Sequence, residues 1–68
     1  MIVEVEDLVK HSIEDLQLTG SADIEEVLDA IGYKDNELYH MVNGKHVPRD
    51  FKLSEGDKVT IILALGGG

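Results

Sequence analysis

Residues 59–65 constrain the fold of this chain more than any other segment. They read valine, threonine, isoleucine, isoleucine, leucine, alanine and leucine, without a charged residue. β-Branched and large apolar residues favour strands, and this run is long enough for the centre of a sheet. Within residues 1–6, Val3 and Val5 alternate with Glu4 and Glu6, which predicts a half-buried strand. We expect these two strands to lie side by side and parallel, joined through the whole middle of the chain.

One amphipathic helix is predicted over residues 24–31. Its apolar residues recur at i, i+3, i+4 and i+7, which places them on one helical face; they are Ile24, Val27, Leu28 and Ile31. Asp23 is placed to cap the first turn, and Gly32 is placed to end the helix in a left-handed conformation.

Three further strands complete the predicted sheet. Within residues 7–18 we expect a strand antiparallel to the first and ending near Leu18, although no turn can be placed there. Leu38–Val42 and residues 45–47 form a hairpin around Asn43-Gly44, the strongest short turn signal. Residues 55–58 predict another turn. The predicted fold class is α+β, with a mixed four- to five-stranded sheet and one helix packed on one face.

Size and composition exclude several classes of function. With 68 residues the chain is one domain, and a core of this size supplies about 3–5 kcal/mol of net stability. That leaves little room for a closed active site, so we predict no catalytic residues and no enzyme. The net charge of −8 disfavours nucleic acid. It fits a protein partner with a basic docking face, or serves solubility alone.

The sequence also predicts a cytoplasmic protein without a membrane segment. No apolar run approaches the roughly 20 residues that span a bilayer, and the start lacks the basic stretch of a secretory signal. There is no cysteine, which excludes disulfides and fits a reducing compartment. We expect a monomer when the protein is free.

Three glycines follow the last predicted strand: Gly66, Gly67 and Gly68. Without side chains, such a segment can pass through a narrow channel, and three residues reach roughly 10 Å. A terminal carboxylate is ionised at neutral pH and can attack the α-phosphorus of ATP. We therefore divide the chain into a folded domain, residues 1–65, and a flexible tail, residues 66–68. The alternative is a short disordered end without function.

Four motifs occur in a fixed order along the second half of the chain. They are Val42-Asn43-Gly44, Val47-Pro48-Arg49, the run EGDKVTI at residues 55–61, and the final glycines. This ordered set resembles the ThiS/MoaD family of ubiquitin-like sulfur-carrier proteins. The segment from Asn43 to Arg49 is more similar to the thiamine-type branch. The molybdopterin-type branch usually has prolines shortly before its final glycines, and this chain has none there.

The resemblance implies a β-grasp fold and a cycle of acyl chemistry at the tail. An ATP-dependent activating enzyme would adenylate Gly68, and sulfur transfer would convert it to a thiocarboxylate for a sulfur-accepting synthase. Gly66 and Gly67 would thread into the partner. No cofactor is bound by the carrier; ATP is used by the activating enzyme. Thiazole synthesis, molybdopterin synthesis, tRNA thiolation and small-molecule sulfur assimilation all stay open as the receiving pathway.

A candidate partner-binding face follows from the alternation of the last strand. Thr60, Ile62 and Ala64 share one side, and the polar threonine suggests that this side faces away from the helix. Tyr39 and Met41 would join Ile62 and Ala64 in an exposed apolar patch that leads to the tail. The alternative is that the crossover around Phe51 buries part of this set.

Other candidate sites carry weaker signals. The three histidines, His11, His40 and His46, lack the short spacing of metal ligands, so we predict no metal site. A hydrogen-bonded or solvent-facing His40 is the expected state. Adjacent carboxylates such as Glu25-Glu26 diverge on a helix and indicate solvated faces. A group of basic residues suggests either a partner contact or solubility; it comprises Lys45, His46, Arg49, Lys52 and Lys58.

Two further functions remain as alternatives to a sulfur carrier. A ubiquitin-like modifier would be conjugated to amines through the same terminal glycine. A β-grasp binding or regulatory module would bind its partner without any acyl intermediate.

Overall fold

The computed structural model of the protein describes residues 1–33 and 38–63. Its elements, in chain order, are β1 (Ile2–Asp7), β2 (Ser12–Gln17), α1 (Ile24–Ile31), β3 (Leu38–Val42), β4 (Lys45–His46) and β5 (Lys58–Leu63). The predicted elements are present; α1 and β3 have the predicted bounds, and the bounds of the other strands are shifted. β5 begins at Lys58, inside the segment predicted as a turn, and β4 stops at His46, one residue earlier than expected. Residues 64 and 65 of the last predicted strand lie outside the described residues.

The five strands form one mixed sheet in the order β2-β1-β5-β3-β4. β1 and β5 are parallel neighbours at its centre, with Val5 opposite Val59. β2 runs antiparallel to β1, and β3 runs antiparallel to β5. The predicted central parallel pair and the predicted antiparallel second strand are both confirmed.

The helix α1 begins and ends where the capping residues predict. The Asp23 carboxylate accepts a hydrogen bond from the backbone N–H of Glu26, at 3.1 Å, which satisfies a donor that the first turn leaves free. Gly32 has a φ of 91°, a left-handed conformation that glycine adopts without steric penalty. Its N–H bonds back to the carbonyl of Asp29, so the helix is closed at both ends.

The hydrophobic core lies between α1 and one face of the sheet. The two central strands contribute alternate residues, Val3 and Val5 from β1 and Val59 and Ile61 from β5, because successive side chains of a strand point to opposite faces. Its buried apolar residues are Val3, Val5, Leu18, Ala22, Ile24, Val27, Leu28, Val42, Leu53, Val59 and Ile61. Phe51 packs against this cluster. The other face of the sheet, which we call the open face, receives no helix from the described residues.

Two turns fix the registers of their strands. Asn43 and Gly44 both have positive φ, 52° and 83°, as the predicted two-residue hairpin requires. The Asn43 side chain also accepts from the backbone N–H of Lys58 and donates to Asp57, which links this hairpin to the start of β5. The turn between β1 and β2, which the sequence pattern did not place, occupies residues 8–11.

Within the described ranges, no helix is long and apolar enough to cross a membrane.

Two adjacent isoleucines lie on opposite faces of β5, so the same substitution made at each of them tests this packing. Ile61 is fully buried, whereas Ile62 is half-buried on the open face. Ile61→Val should lower the free energy of unfolding by about 0.5–1.5 kcal/mol, since it removes a buried methylene. Ile62→Val is the matched control and should change it by less than about 0.5 kcal/mol. Urea unfolding measures both; equal losses would contradict the assigned faces.

Candidate functional site

The open face near the end of β5 holds three of the predicted partner-binding residues. The register between β3 and β5 sets Tyr39 opposite Ile62 and Met41 opposite Thr60, and cross-strand partners point to the same face. Tyr39 is 50% exposed, while Met41 and Ile62 are half-buried. These three side chains, which we call the β3–β5 patch, therefore form a contiguous and partly accessible apolar surface.

An aromatic contact extends the β3–β5 patch to the edge strand β4. The rings of Tyr39 and His46 meet edge to face, with centroids 5.2 Å apart and planes at 78°. Such a pair holds the exposed tyrosine in place and limits the conformational freedom that it would lose on binding.

Acidic residues border the patch on the side of β1. Glu4 and Glu6 lie on the open face beside Lys58, whose Nζ is 3.2 Å from Glu6 and 4.0 Å from Glu4. Because one lysine neutralises only one of the two carboxylates, a net negative charge remains next to the β3–β5 patch. A partner with basic groups around an apolar centre would complement this surface.

Two more of the predicted basic residues, Arg49 and Lys52, are also paired with acids. The Arg49 guanidinium lies 3.4 Å from Glu25, and Lys52 lies 3.8 Å from Asp23. These pairs join the crossover segment before β5 to the first turn of α1. Their positions favour a structural role over a shared cationic docking site.

A hydrogen-bonded turn stands beside the end of β5 from which the chain continues to the glycines. The backbone N–H of Leu8 donates to the carbonyl of Ile61, at 2.9 Å, which extends the pairing of the central strands past β1. Asp7, only 4% exposed, accepts from the backbone N–H groups of Val9 and Lys10 at 2.9 and 3.0 Å. The carboxylate therefore shapes the turn at this end of the sheet.

The Tyr33 hydroxyl donates to the same carboxylate at 2.7 Å. Burial alone would raise the pKa of Asp7, but the hydrogen bonds from Tyr33, Lys10 and Val9 outweigh it and lower that pKa. Burial and the anionic neighbour raise the pKa of Tyr33 to about 12. The ammonium of Lys10 lies 5.0 Å from the centre of the Tyr33 ring. The segment after α1 is thus tied to the turn after β1.

His40 differs from the expectation of a hydrogen-bonded or solvent-facing side chain. It lies opposite Ile61 on the helix side of the sheet, and its Nε2 is buried without a hydrogen-bond partner in the described part of the chain. Alternation along β3 places His40 on the same face as buried Val42. The predicted assignment of Tyr39 and Met41 to the uncovered face already implied this side for His40.

The remaining predicted site residues belong to the last five positions of the sequence. Ala64 and the tail residues Gly66, Gly67 and Gly68 lie outside the described residues, as does the predicted domain boundary after residue 65. Among residues 1–33 and 38–63, no group of three or more His, Cys, Asp or Glu side chains is arranged to hold a metal ion.

Sequence reasoning missed the group formed by Asp7, Tyr33 and Lys10. The contacts of Asp7 within the turn have a sequence signal, because aspartate commonly accepts hydrogen bonds from backbone N–H groups two and three residues ahead and so starts a turn. No local pattern links Tyr33 to Asp7, because that contact depends on how the helix end meets the sheet.

Comparison with known proteins identifies the fold. A family model described as the ThiS family matches residues 4–68. SAMP1 from Haloferax volcanii has a similar structure, with a TM-score of 0.79, 15% identity and full coverage of both chains. A ubiquitin-like protein from Caldiarchaeum subterraneum has a TM-score of 0.65 and 16% identity, over 98% of this chain and 100% of the other. No curated protein sequence matches the chain. The expected ubiquitin-like β-grasp fold is confirmed.

Removal of one hydroxyl tests the Asp7–Tyr33 contact. Tyr33→Phe should lower the free energy of unfolding at neutral pH by about 1.5–3 kcal/mol, the usual contribution of a hydrogen bond to a charged group. Tyr39→Phe is the control, since its exposed ring makes no side-chain hydrogen bond within the described ranges, and should have little effect. Urea unfolding followed by circular dichroism measures both variants.

The same contact predicts a pH dependence. Because the pKa of Asp7 is depressed in the folded state, its stabilisation is complete above the ordinary value of 3.8 and is lost as the pH falls through the folded value. The difference between wild type and Tyr33→Phe should therefore shrink on acidification. A difference that stays constant down to acid unfolding would contradict the assigned hydrogen bond.

Proposed function

The chain belongs to the ThiS family, and on that premise we propose that it is a sulfur carrier that acts through the carboxylate of Gly68. The family match carries the proposal, because it runs through residue 68 and so includes the glycines as well as the folded body. The proposed carrier is not itself an enzyme; it is a co-substrate of an activating enzyme and then of a sulfur-accepting synthase.

The proposed chemistry proceeds in two balanced steps. The Gly68 carboxylate attacks the α-phosphorus of ATP in the active site of the activating enzyme, which forms an acyl adenylate and releases pyrophosphate. A sulfide-level sulfur donor then attacks the acyl carbon and displaces AMP, which leaves a thiocarboxylate. The glycines before Gly68 offer no side chain that would obstruct either attack.

The geometry of the folded body supports this use of the tail. β5 lies between two other strands and is hydrogen-bonded on both sides, so the point from which residues 64–68 continue is held firmly. Five residues in extended form reach roughly 17 Å. A partner that binds the body can therefore receive Gly68 within its own active site.

We assign the first contact with the activating enzyme to the β3–β5 patch, together with Ala64. Tyr39, Met41 and Ile62 lie on the strand that leads to the tail or on its neighbour. A partner that docks on this patch would therefore lie next to the strand from which the tail extends. The acidic border favours a partner with a basic rim. We expect a free monomer in the cytoplasm.

The sulfur-carrier proposal is tested by intact mass. Incubation with the activating enzyme, ATP and a sulfide source should give the mass gain of one oxygen replaced by sulfur, and omission of ATP should abolish it. A chain without Gly67 and Gly68 should fold normally by circular dichroism and show no gain. Amide-linked conjugates without a sulfur product would indicate a modifier instead. Retained partner affinity with no acyl product at all would indicate a binding module.

Two identical substitutions at opposite ends of the open face test the docking assignment. Ile62→Asp should raise the KM of the activating enzyme by about tenfold, equivalent to about 1.4 kcal/mol, because it places a charge in the β3–β5 patch. Ile2→Asp is the control: Ile2 is 45% exposed on the same face but lies far from the end of β5. It makes the same change in net charge and should leave KM unchanged. Equal effects would contradict the assignment.

A further inference from the structure

The outer edge of β2 presents backbone groups that no described strand uses. Met1 and Leu18 exchange two hydrogen bonds, of 2.7 and 3.0 Å. In an antiparallel pair such residues alternate with residues whose N–H and C=O point away from the partner strand. The backbone groups of Ile13, Asp15 and Gln17 are therefore directed away from β1. β2 stands at the edge of the sheet as far as the chain is described.

A groove opens beside this edge, between the end of β2 and α1. It has a volume of about 430 Å³ and is lined by Gln17, Leu18, Thr19, Glu26, Asp29 and Ala30. A strand added next to β2 would direct alternate side chains towards this groove. Its other side chains would lie on the open face beside Ile13, which at 65% is the most exposed of the large apolar residues in the described ranges.

The acidic side chains around the edge of β2 favour a cationic partner over a second copy of this chain. Glu14 and Asp15 lie on the strand, and Glu26 and Asp29 lie on the facing side of the helix. No ion pair to any of the four occurs in the described part of the chain. A second copy of this chain would bring the same acidic edge and a net charge of −8, and like charges oppose edge-to-edge pairing. A cationic strand meets no such opposition.

We propose that the outer edge of β2 binds an extended, cationic segment of a partner protein, which adds to the sheet as a further strand. The backbone groups of Ile13, Asp15 and Gln17 supply the hydrogen bonds. The groove accepts alternate side chains, where Glu26 and Asp29 hold the basic ones, and Glu14 and Asp15 add negative charge along the strand. This site is separate from the β3–β5 patch, which lies towards the opposite edge of the sheet. It does not depend on the chemistry of Gly68.

The test uses the full chain, labelled with nitrogen-15, and a capped heptapeptide of alternating lysine and valine. NMR titration should shift the amides of β2 and of the groove, and hydrogen exchange at Ile13, Asp15 and Gln17 should slow. Asp15→Pro removes an outward N–H without touching the bonds to β1, and should weaken binding about tenfold or more. Asp15→Asn keeps that N–H, and should weaken binding about threefold or less.

A second variant and a second peptide keep the test valid if the proline variant does not fold. Glu26→Lys combined with Asp29→Lys changes only exposed helix positions; it should weaken binding of the lysine peptide and strengthen that of a glutamate–valine peptide. A chain without Gly67 and Gly68 should bind as the full chain does, so this result is independent of the sulfur-carrier test.

Three results would overturn the proposal. Equal affinity of wild type and Asp15→Pro would show binding by charge alone. Shifts confined to the β3–β5 patch would place the peptide elsewhere. A dimer of the free chain that Asp15→Pro dissociates, seen by sedimentation, would assign the edge to a second copy.

Discussion

The parallel pairing of β1 with β5 is the interaction on which the rest of the structure depends. It joins segments from opposite ends of the sequence, with Val5 opposite Val59 and Asp7 opposite Ile61. The loop between them is long, and its closure entropy must be offset by the core that forms against α1. Because the strands are parallel, both end at the same edge of the sheet. The turn braced by Asp7 and the end of β5 are therefore neighbours.

In the described part of the chain, α1 covers one face of the sheet and no helix covers the other. This helix buries Val5, Val59 and Ile61, while Tyr39 and Ile62 lie on the uncovered side. The same alternation along β5 thus serves both stability and recognition. In the proposed carrier, the strand that anchors the core also displays the docking surface and leads to the reactive end.

Local chemistry made much of the fold predictable from the sequence. Asp23 and Gly32 marked the ends of the helix, Asn43-Gly44 marked the hairpin, and β-branched residues marked the central strand. Contacts between distant segments were less accessible. The bond from Tyr33 to Asp7 has no sequence signature, since it arises where the helix end meets the sheet. The buried Nε2 of His40 was not expected, although the predicted assignment of Tyr39 and Met41 to the uncovered face already placed His40 on the helix side. The tail could be argued only from its chemistry and family.

Replacement of the terminal carboxylate by a carboxamide tests the central claim most directly. A chain of 68 residues is within reach of chemical synthesis, so the two forms can differ at one functional group and share the same fold. ATP–pyrophosphate exchange by the activating enzyme reports adenylation before any sulfur is transferred. The carboxylate form should support exchange, and the carboxamide form should support none while competing for the enzyme. Exchange supported equally by the carboxamide form would contradict the account.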